Sequence, residues 1–344
     1  ISMNNLLKTI DAKRKELAVF EPLPVDLVKN LEEWYKIELT YTSNAIEGNT
    51  LTRQETALVV EKHIAVEGKS LQEIQEAVNH AAAYDYVKEL AKTKPERMAL
   101  TQSDVLDIHR HILKNIDDTN AGRYRSVAVR ITGANVLLPN PLNVPELMDT
   151  FFAWLTGART DHIATIAADA HFKYVSIHPH TDGNGRTARL LMNLLLMQVG
   201  LPPAVIHKED RRKYLTSLEK AQTTGDLGDY YILIYEAIDT SLDMYLQAAN
   251  PPLELEDAPS SEPVKAGLLK IGEVAERTGE HFSTIRFWSQ QGLLDVADYS
   301  PGGYRLFAPD TIEQVKEINR LKREERLTLP EIKRRLKGIS QPNN

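Results

Sequence analysis

Along residues 1–250 apolar positions recur at three- and four-residue steps. "DLVKNLEEWYKIELTYTSNAIEG" (26–48), "SLQEIQEAVNHAAAYDYVKELAK" (70–92), "TQSDVLDIHRHILKNI" (101–116) and "VPELMDTFFAWL" (144–155) all share this rhythm, which predicts amphipathic helices. "SLQEIQ" and "TQSD" open on Ser or Thr followed by polar or acidic residues, as helix N-termini do. One segment departs from the pattern. Residues 122–141, "GRYRSVAVRITGANVLLPNP", alternate β-branched and polar positions around Thr132-Gly133-Ala134-Asn135, which predicts a hairpin. A lone hairpin among helices has no sheet to join, so its open edge calls for another use. Residues 250–267, "NPPLELEDAPSSEPVKAG", hold four prolines and four acids without periodicity and read as a linker. Beyond it come two short helices split at Thr278-Gly279-Glu280, a tight turn in "YSPGGYRLF", and two more helices. The pattern predicts a mainly α protein with one hairpin, divided by the linker into a large body and a small module.

Composition narrows the class. A hydrophobic fraction of 42% with 7% aromatics is that of an ordinary protein with a real core. No apolar run is long enough for a membrane span, and the opening residues carry no apolar export signal. The chain has no cysteine, which excludes disulfides and thiolate–metal sites. Together these features predict a cytoplasmic protein with no membrane partner. The net charge of −7 is unevenly spread: residues 264–344 hold 14 Lys/Arg against 11 Asp/Glu, and the rest hold 27 against 37. A mildly basic module on an acidic body suggests a second kind of partner.

The densest chemistry lies in residues 178–189, "HPHTDGNGRTAR". Gly183, Asn184 and Gly185 open a helix, where free backbone N–H groups and the positive dipole end favour an anion. Arg186 and Arg189 share one helix face and suit successive phosphate oxygens. Asp182 is placed to hold a magnesium ion that bridges phosphates. His178, fixed by Pro179, suits proton acceptance from an incoming hydroxyl. A plain Gly-rich entry turn explains none of this co-occurrence. The pairs His109/His111 and His178/His180 also suggest metal ligands, but neither has His-Glu-x-x-His spacing, and a zinc site is not expected.

These twelve residues resemble the Fic family motif, His-Pro-Phe-x-Asp/Glu-Gly-Asn-Gly-Arg-x-x-Arg. They match at His178, Pro179, Asp182, Gly183, Asn184, Gly185, Arg186 and Arg189, and depart at His180, where the family has Phe. The resemblance, over about residues 30–240, implies a Fic-type helical core with a β-hairpin flap and transfer of AMP from ATP to a protein Ser, Thr or Tyr hydroxyl, with Mg²⁺. It implies His178 as general base, Asp182 as metal ligand, and Gly183, Asn184, Gly185, Arg186, Thr187 and Arg189 as nucleotide-binding, with Tyr214 and Gln222 at the nucleoside. Ile131, Thr132, Gly133, Ala134, Asn135 and Val136 correspond to the flap that docks the target by strand addition. "TSNAIEGNT" resembles the family's inhibitory motif at Ser43, Glu47 and Gly48. The resemblance implies that Glu47 pairs with Arg189 and turns ATP from its productive pose. In some relatives the same Glu supports removal of AMP.

"LLKIGEVAERTGEHFSTIRFWSQQGLL" with "GGYRLF" resembles MerR-type regulators over about residues 268–337. That implies a winged helix-turn-helix contacting double-stranded DNA through Arg286, Tyr304 and Arg305, with Lys270 as a further phosphate contact. The expected organisation is an N-terminal helical region (1–100), a Fic core (101–249), the linker (250–267) and the module (268–344). The reading is an autoinhibited protein adenylyltransferase acting on a partner protein or on itself, with homodimerisation open. Its rivals are a transcription regulator with a nucleotide-sensing core, an enzyme with another donor, and a module that binds protein instead of DNA.

Overall fold

A computed structural model describes residues 2–131, 135–249, 267–280, 284–285, 288–289, 292–299, 305–325, 327 and 329–336. The chain divides into two compact units at residues 250 and 251. The first contains helices α1 (Met3–Ala18), α2 (Val25–Ile46), α3 (Arg53–Lys62), α4 (Leu71–Thr93), α5 (Gln102–Leu113), α6 (Val144–Thr156), α7 (Ile163–Ile177), α8 (Asn184–Gln198), α9 (Arg211–Thr224) and α10 (Gly228–Ala249). The Ser70 and Thr101 starts act as expected, forming capping boxes with Glu73 at α4 and Asp104 at α5, and Thr52 with Glu55 forms a further one at α3.

Helix α8 lies at the centre. From Arg186 to Leu196 every residue is buried, so the polar Arg186, Thr187, Arg189 and Asn193 lie inside the protein together with the apolar positions between them. Its neighbours α4, α5 and α7 pack along it, and Ala164, Ala167, Ala168 and Ala170 on α7 are small enough to allow close approach. Residues 1–100 share this core with the later helices, through Tyr35, Leu39, Tyr84 and Val87.

The hairpin expectation needs correction. Among the described residues, 123–131 and 135–140 run without strand pairing, and Thr132, Gly133 and Ala134 lie outside the described residues. Side-chain bonds from Arg125 and Glu219 to the backbone hold the described parts of this segment instead.

The second unit is built on β1 (Leu269–Lys270), β2 (Asp298–Tyr299) and β3 (Arg305–Phe307), antiparallel in the order β1-β3-β2. Helices α11 (Ile271–Thr278), α12 (Thr311–Arg323) and α13 (Leu329–Leu336) accompany them. Leu269, Val274, Ile285, Trp288, Phe307, Val315 and Ile318 form its core. Strands β2 and β3 flank residues 300–304, where the wing turn is expected and which lie outside the described residues. No helix among the described residues is long and apolar enough to cross a membrane.

Candidate active site

Helix α7 stops at His178, which takes a left-handed conformation (φ 52°, ψ 60°) that His tolerates better than most side chains. Its Nδ1 lies 3.3 Å from the Val175 carbonyl. A carbonyl only accepts, so Nδ1 carries the proton and Nε2 keeps its lone pair. Burial holds the imidazole below its ordinary pKa, against the smaller opposing effect of the Val175 carbonyl. A neutral His with a free Nε2 is the state a proton acceptor needs.

The loop after His178 is closed by Asn184. Its Oδ1 accepts the His180 N–H and its Nδ2 donates to the His180 carbonyl, both at 2.9 Å. Gly183 then starts α8 at φ 76°, with no side chain capping the helix. A Cβ there would meet the His109 ring and Ile112 at 3.2 Å, so both backbone and space require glycine. Asp182 is exposed; Oδ1 accepts the Gly183 N–H at 2.6 Å and Oδ2 lies 3.3 Å from Arg186 Nη2. The Arg186 Nε and Thr187 Oγ1 atoms are buried and carry no hydrogen bond. Such atoms, beside an uncapped helix start, suit an anion.

His180 does more than fill the space of a phenylalanine. Its ring stacks on His109, with centroids 3.5 Å apart and planes 8° off parallel. Nδ1 donates to the Arg123 carbonyl at 2.7 Å, and Nε2 accepts the Tyr174 hydroxyl at 2.6 Å. His109 accepts the Gly122 N–H on Nδ1 and donates from Nε2 to the Asp182 carbonyl, each at 2.9 Å. Burial lowers both pKa values, that of His109 to about 4. Two neutral, fully bonded imidazoles therefore brace the loop from beneath. The described residues hold no cluster of three metal-binding side chains.

Arg189 is buried and fully engaged. Nε donates to Ser43 Oγ at 2.9 Å, while Nη2 donates to the Ser43 carbonyl at 3.0 Å and to Glu47 Oε1 at 2.7 Å. Glu47 caps the end of α2, and Gly48 turns the chain away at φ 104°. Gly185 makes the room: a Cβ there would fall 2.4 Å from Glu47 Oε1. A second acid approaches from α4. Glu76 lies 3.6 Å from Arg186 Nη1 and accepts a 2.8 Å bond from Asn49, just past the Glu47 turn.

A one-way chain of hydrogen bonds orients Arg189 from behind. Nη1 donates to Tyr214 at 3.4 Å, Tyr214 to His171 Nε2 at 2.7 Å, His171 Nδ1 to Tyr230 at 2.8 Å, and Tyr230 to the Ala168 carbonyl at 2.9 Å. Burial, with the Arg189 charge as a smaller cause, lowers the His171 pKa to about 3, so the imidazole is neutral and the chain has one proton arrangement. Tyr214 is thus buried and supports Arg189 through its hydroxyl. Gln222 is half-buried and donates to Ser176 Oγ at 3.2 Å. Of the loop residues, Ile131 and Val136 are half-buried, and the Asn135 N–H donates to Glu219 Oε1 at 2.9 Å. In the second unit Arg305 is half-buried and donates to Ser289 Oγ at 2.9 Å; Arg286 and Tyr304 lie outside the described residues.

The Fic/DOC family model matches residues 99–196, and the model of MerR HTH family regulatory proteins matches residues 269–339. Protein adenylyltransferase Fic of Culex quinquefasciatus is 37% identical over 243 residues, 70% of this chain and 47% of that protein. The solved structure of Fic-1 (residues 134–508) from C. elegans is 32% identical, with a TM-score of 0.64, over 72% of this chain and 73% of that one. The chain belongs to the Fic family. A Fic domain containing signaling protein from Bacteroides thetaiotaomicron, 29% identical with a TM-score of 0.63, aligns over 71% of this chain and 98% of its own. This chain spans about half the length of the curated Fic relatives it matches. The matched Fic span includes His178 to Arg189, while Glu47 and Tyr214 lie outside it.

Proposed function

We propose that this Fic protein is an adenylyltransferase that moves AMP from ATP to a Ser, Thr or Tyr hydroxyl of a protein, itself included, and is held back by Glu47. The observation that carries the reading is His178, with Nδ1 bonded to the Val175 carbonyl and Nε2 left to accept a proton, shortly before a helix start that no side chain caps. The hydroxyl oxygen attacks the α-phosphorus, its proton passes to His178 Nε2, and the bond to the β-phosphate breaks to release pyrophosphate. The backbone N–H groups of Gly183 to Gly185, with Arg186, bind the phosphates, and Thr187 Oγ1 offers a further donor. Arg189, once released by Glu47, binds the γ-phosphate.

Asp182 fits a magnesium ion: it is an exposed, hard oxygen donor, and magnesium usually takes few carboxylates together with phosphates and waters. When bound, the ion would neutralise phosphate charge. Gln222 and the loop residues 131–136 are proposed to face the nucleoside and the target. The Glu47 carboxylate is also proposed to position a water that attacks the phosphorus of the protein-bound AMP, freeing AMP and restoring the target hydroxyl.

ATP labelled on the α- or the γ-phosphate, followed by intact mass, tests the reaction. The expected result is label from the α-phosphate only, with the mass rising by whole AMP units. Label from the γ-phosphate overturns the reading.

A second activity is supported by the MerR match at residues 269–339. We propose that this unit binds duplex DNA through Arg286, Tyr304 and Arg305, with Lys270 adding a phosphate contact. Anisotropy of the full chain on its own promoter DNA at several salt concentrations should give a shallow salt slope. Arg305→Ala should lower that slope by about one unit, as loss of one phosphate contact does. Arg286→Ala should weaken preferred sites more than random ones. Binding that no salt or substitution changes leaves a protein-binding module.

A further inference from the structure

The loop 127–139 is tied to the catalytic histidine by one buried side chain. Arg125 is 3% exposed. Its Nε donates to the His178 carbonyl at 2.8 Å, Nη1 to the Val127 carbonyl at 3.1 Å and Nη2 to the Pro139 carbonyl at 2.7 Å. Its own backbone N–H donates to the Pro179 carbonyl at 2.8 Å. Among the described residues no carboxylate bonds it. A buried guanidinium without a counter-ion is costly, and it persists here because three carbonyls from separate segments satisfy its planar fork. Two of those carbonyls stand at the opposite ends of the loop. The third belongs to the residue whose imidazole accepts the proton.

We propose that Arg125 is a positioning residue that fixes loop 127–139 and the His178 main chain in one register, so that a target docked on the loop presents its hydroxyl to His178 Nε2. This rests on the adenylyl-transfer reading for its consequence and on the four bonds for its geometry. No apolar or singly bonded side chain replaces the clamp. A lysine keeps the charge but has no planar fork to span all three carbonyls.

Two measurements on the full chain separate the clamp from the reaction. In the Glu47→Gly background, Arg125→Gln should lower kcat for self-modification about ten- to a hundredfold, as a misplacement near 1 Å does. ATP affinity should stay within about twofold, because the phosphate loop is untouched. Arg125→Lys should fall between the two. Unchanged kcat, or equal losses in kcat and ATP affinity, overturns the proposal. Should Glu47→Gly transfer no α-label at all, the reaction reading fails and the second measurement decides. The chain has no cysteine and Leu137 is 99% exposed, so Leu137→Cys gives a single site for a nitroxide. Arg125→Gln and Arg125→Lys should sharpen its line shape toward free motion while melting remains cooperative. An unaltered line shape shows that the loop is held without Arg125 and sinks the clamp.

Discussion

His178→Ala is expected to abolish measurable AMP transfer while leaving nucleotide binding and the fold intact. Loss of a positioned base costs on the order of 10²–10⁴ in rate. Among the described residues the side chain's hydrogen bond is local, to its own helix at Val175, so no distant element loses a bond with it. Alanine is poorly suited to the left-handed backbone at this position, and His178→Asn is therefore the better control, since Asn adopts that conformation readily. Both variants should be inactive by α-label incorporation, with circular dichroism and melting close to the parent. A His178→Asn protein that labels at the parental rate refutes the base assignment. The pH profile adds a check of sign. Burial favours neutral imidazole, so the folded pKa lies below the usual 6.5. Proton acceptance is available above that pKa and lost as pH falls through it, so the rate should rise with pH and level off on the acid side of 6.5.

Glu47→Gly is expected to raise self-modification about ten- to a hundredfold, the equivalent of a charged hydrogen bond worth about 1.5–3 kcal/mol. Glu47 holds Arg189 at 2.7 Å, and on the proposed reading this bond competes with a γ-phosphate. Ser43 still grips the arginine through its hydroxyl and carbonyl, so the freed guanidinium stays in place for ATP. Adding Arg189→Ala should cancel the gain, because the arginine is its beneficiary. Initial rates across ATP concentrations separate the outcomes. Equal rates for parent and Glu47→Gly remove autoinhibition from the account. A lower rate assigns Glu47 a direct part in the chemistry.

The chemistry of residues 178–189 is legible in the sequence because its members are contiguous, on one short loop and the first turns of the helix that follows it. The pairing of Glu47 with Arg189 comes from the family resemblance; periodicity carries no trace of a contact between residues so far apart. Arg125, Glu76 and His171 escape a sequence reading for that reason, since each acts through partners contributed by distant helices or loops. His109 and His111 invite a metal reading as a histidine pair, which their spacing argues against, and the actual neighbour of His109 is His180, the one position where the motif departs from the family. The alternating residues of the loop read as a hairpin because alternation marks any extended chain with two unlike faces, paired or not. Tyr214 shows the converse limit. A tyrosine at helical spacing does not reveal whether its hydroxyl meets solvent or, as here, a buried histidine.

Gly185 constrains how this protein could evolve. On the proposed reading, the space left by its missing side chain serves both the inhibitor's carboxylate and the substrate's phosphates. A larger residue there would exclude Glu47, but it would exclude ATP by the same collision. Release from inhibition is therefore closed to mutation within the catalytic motif. Lineages under selection for constant activity should carry their changes at Ser43, at Glu47 or in the packing of α2, with Gly185 retained.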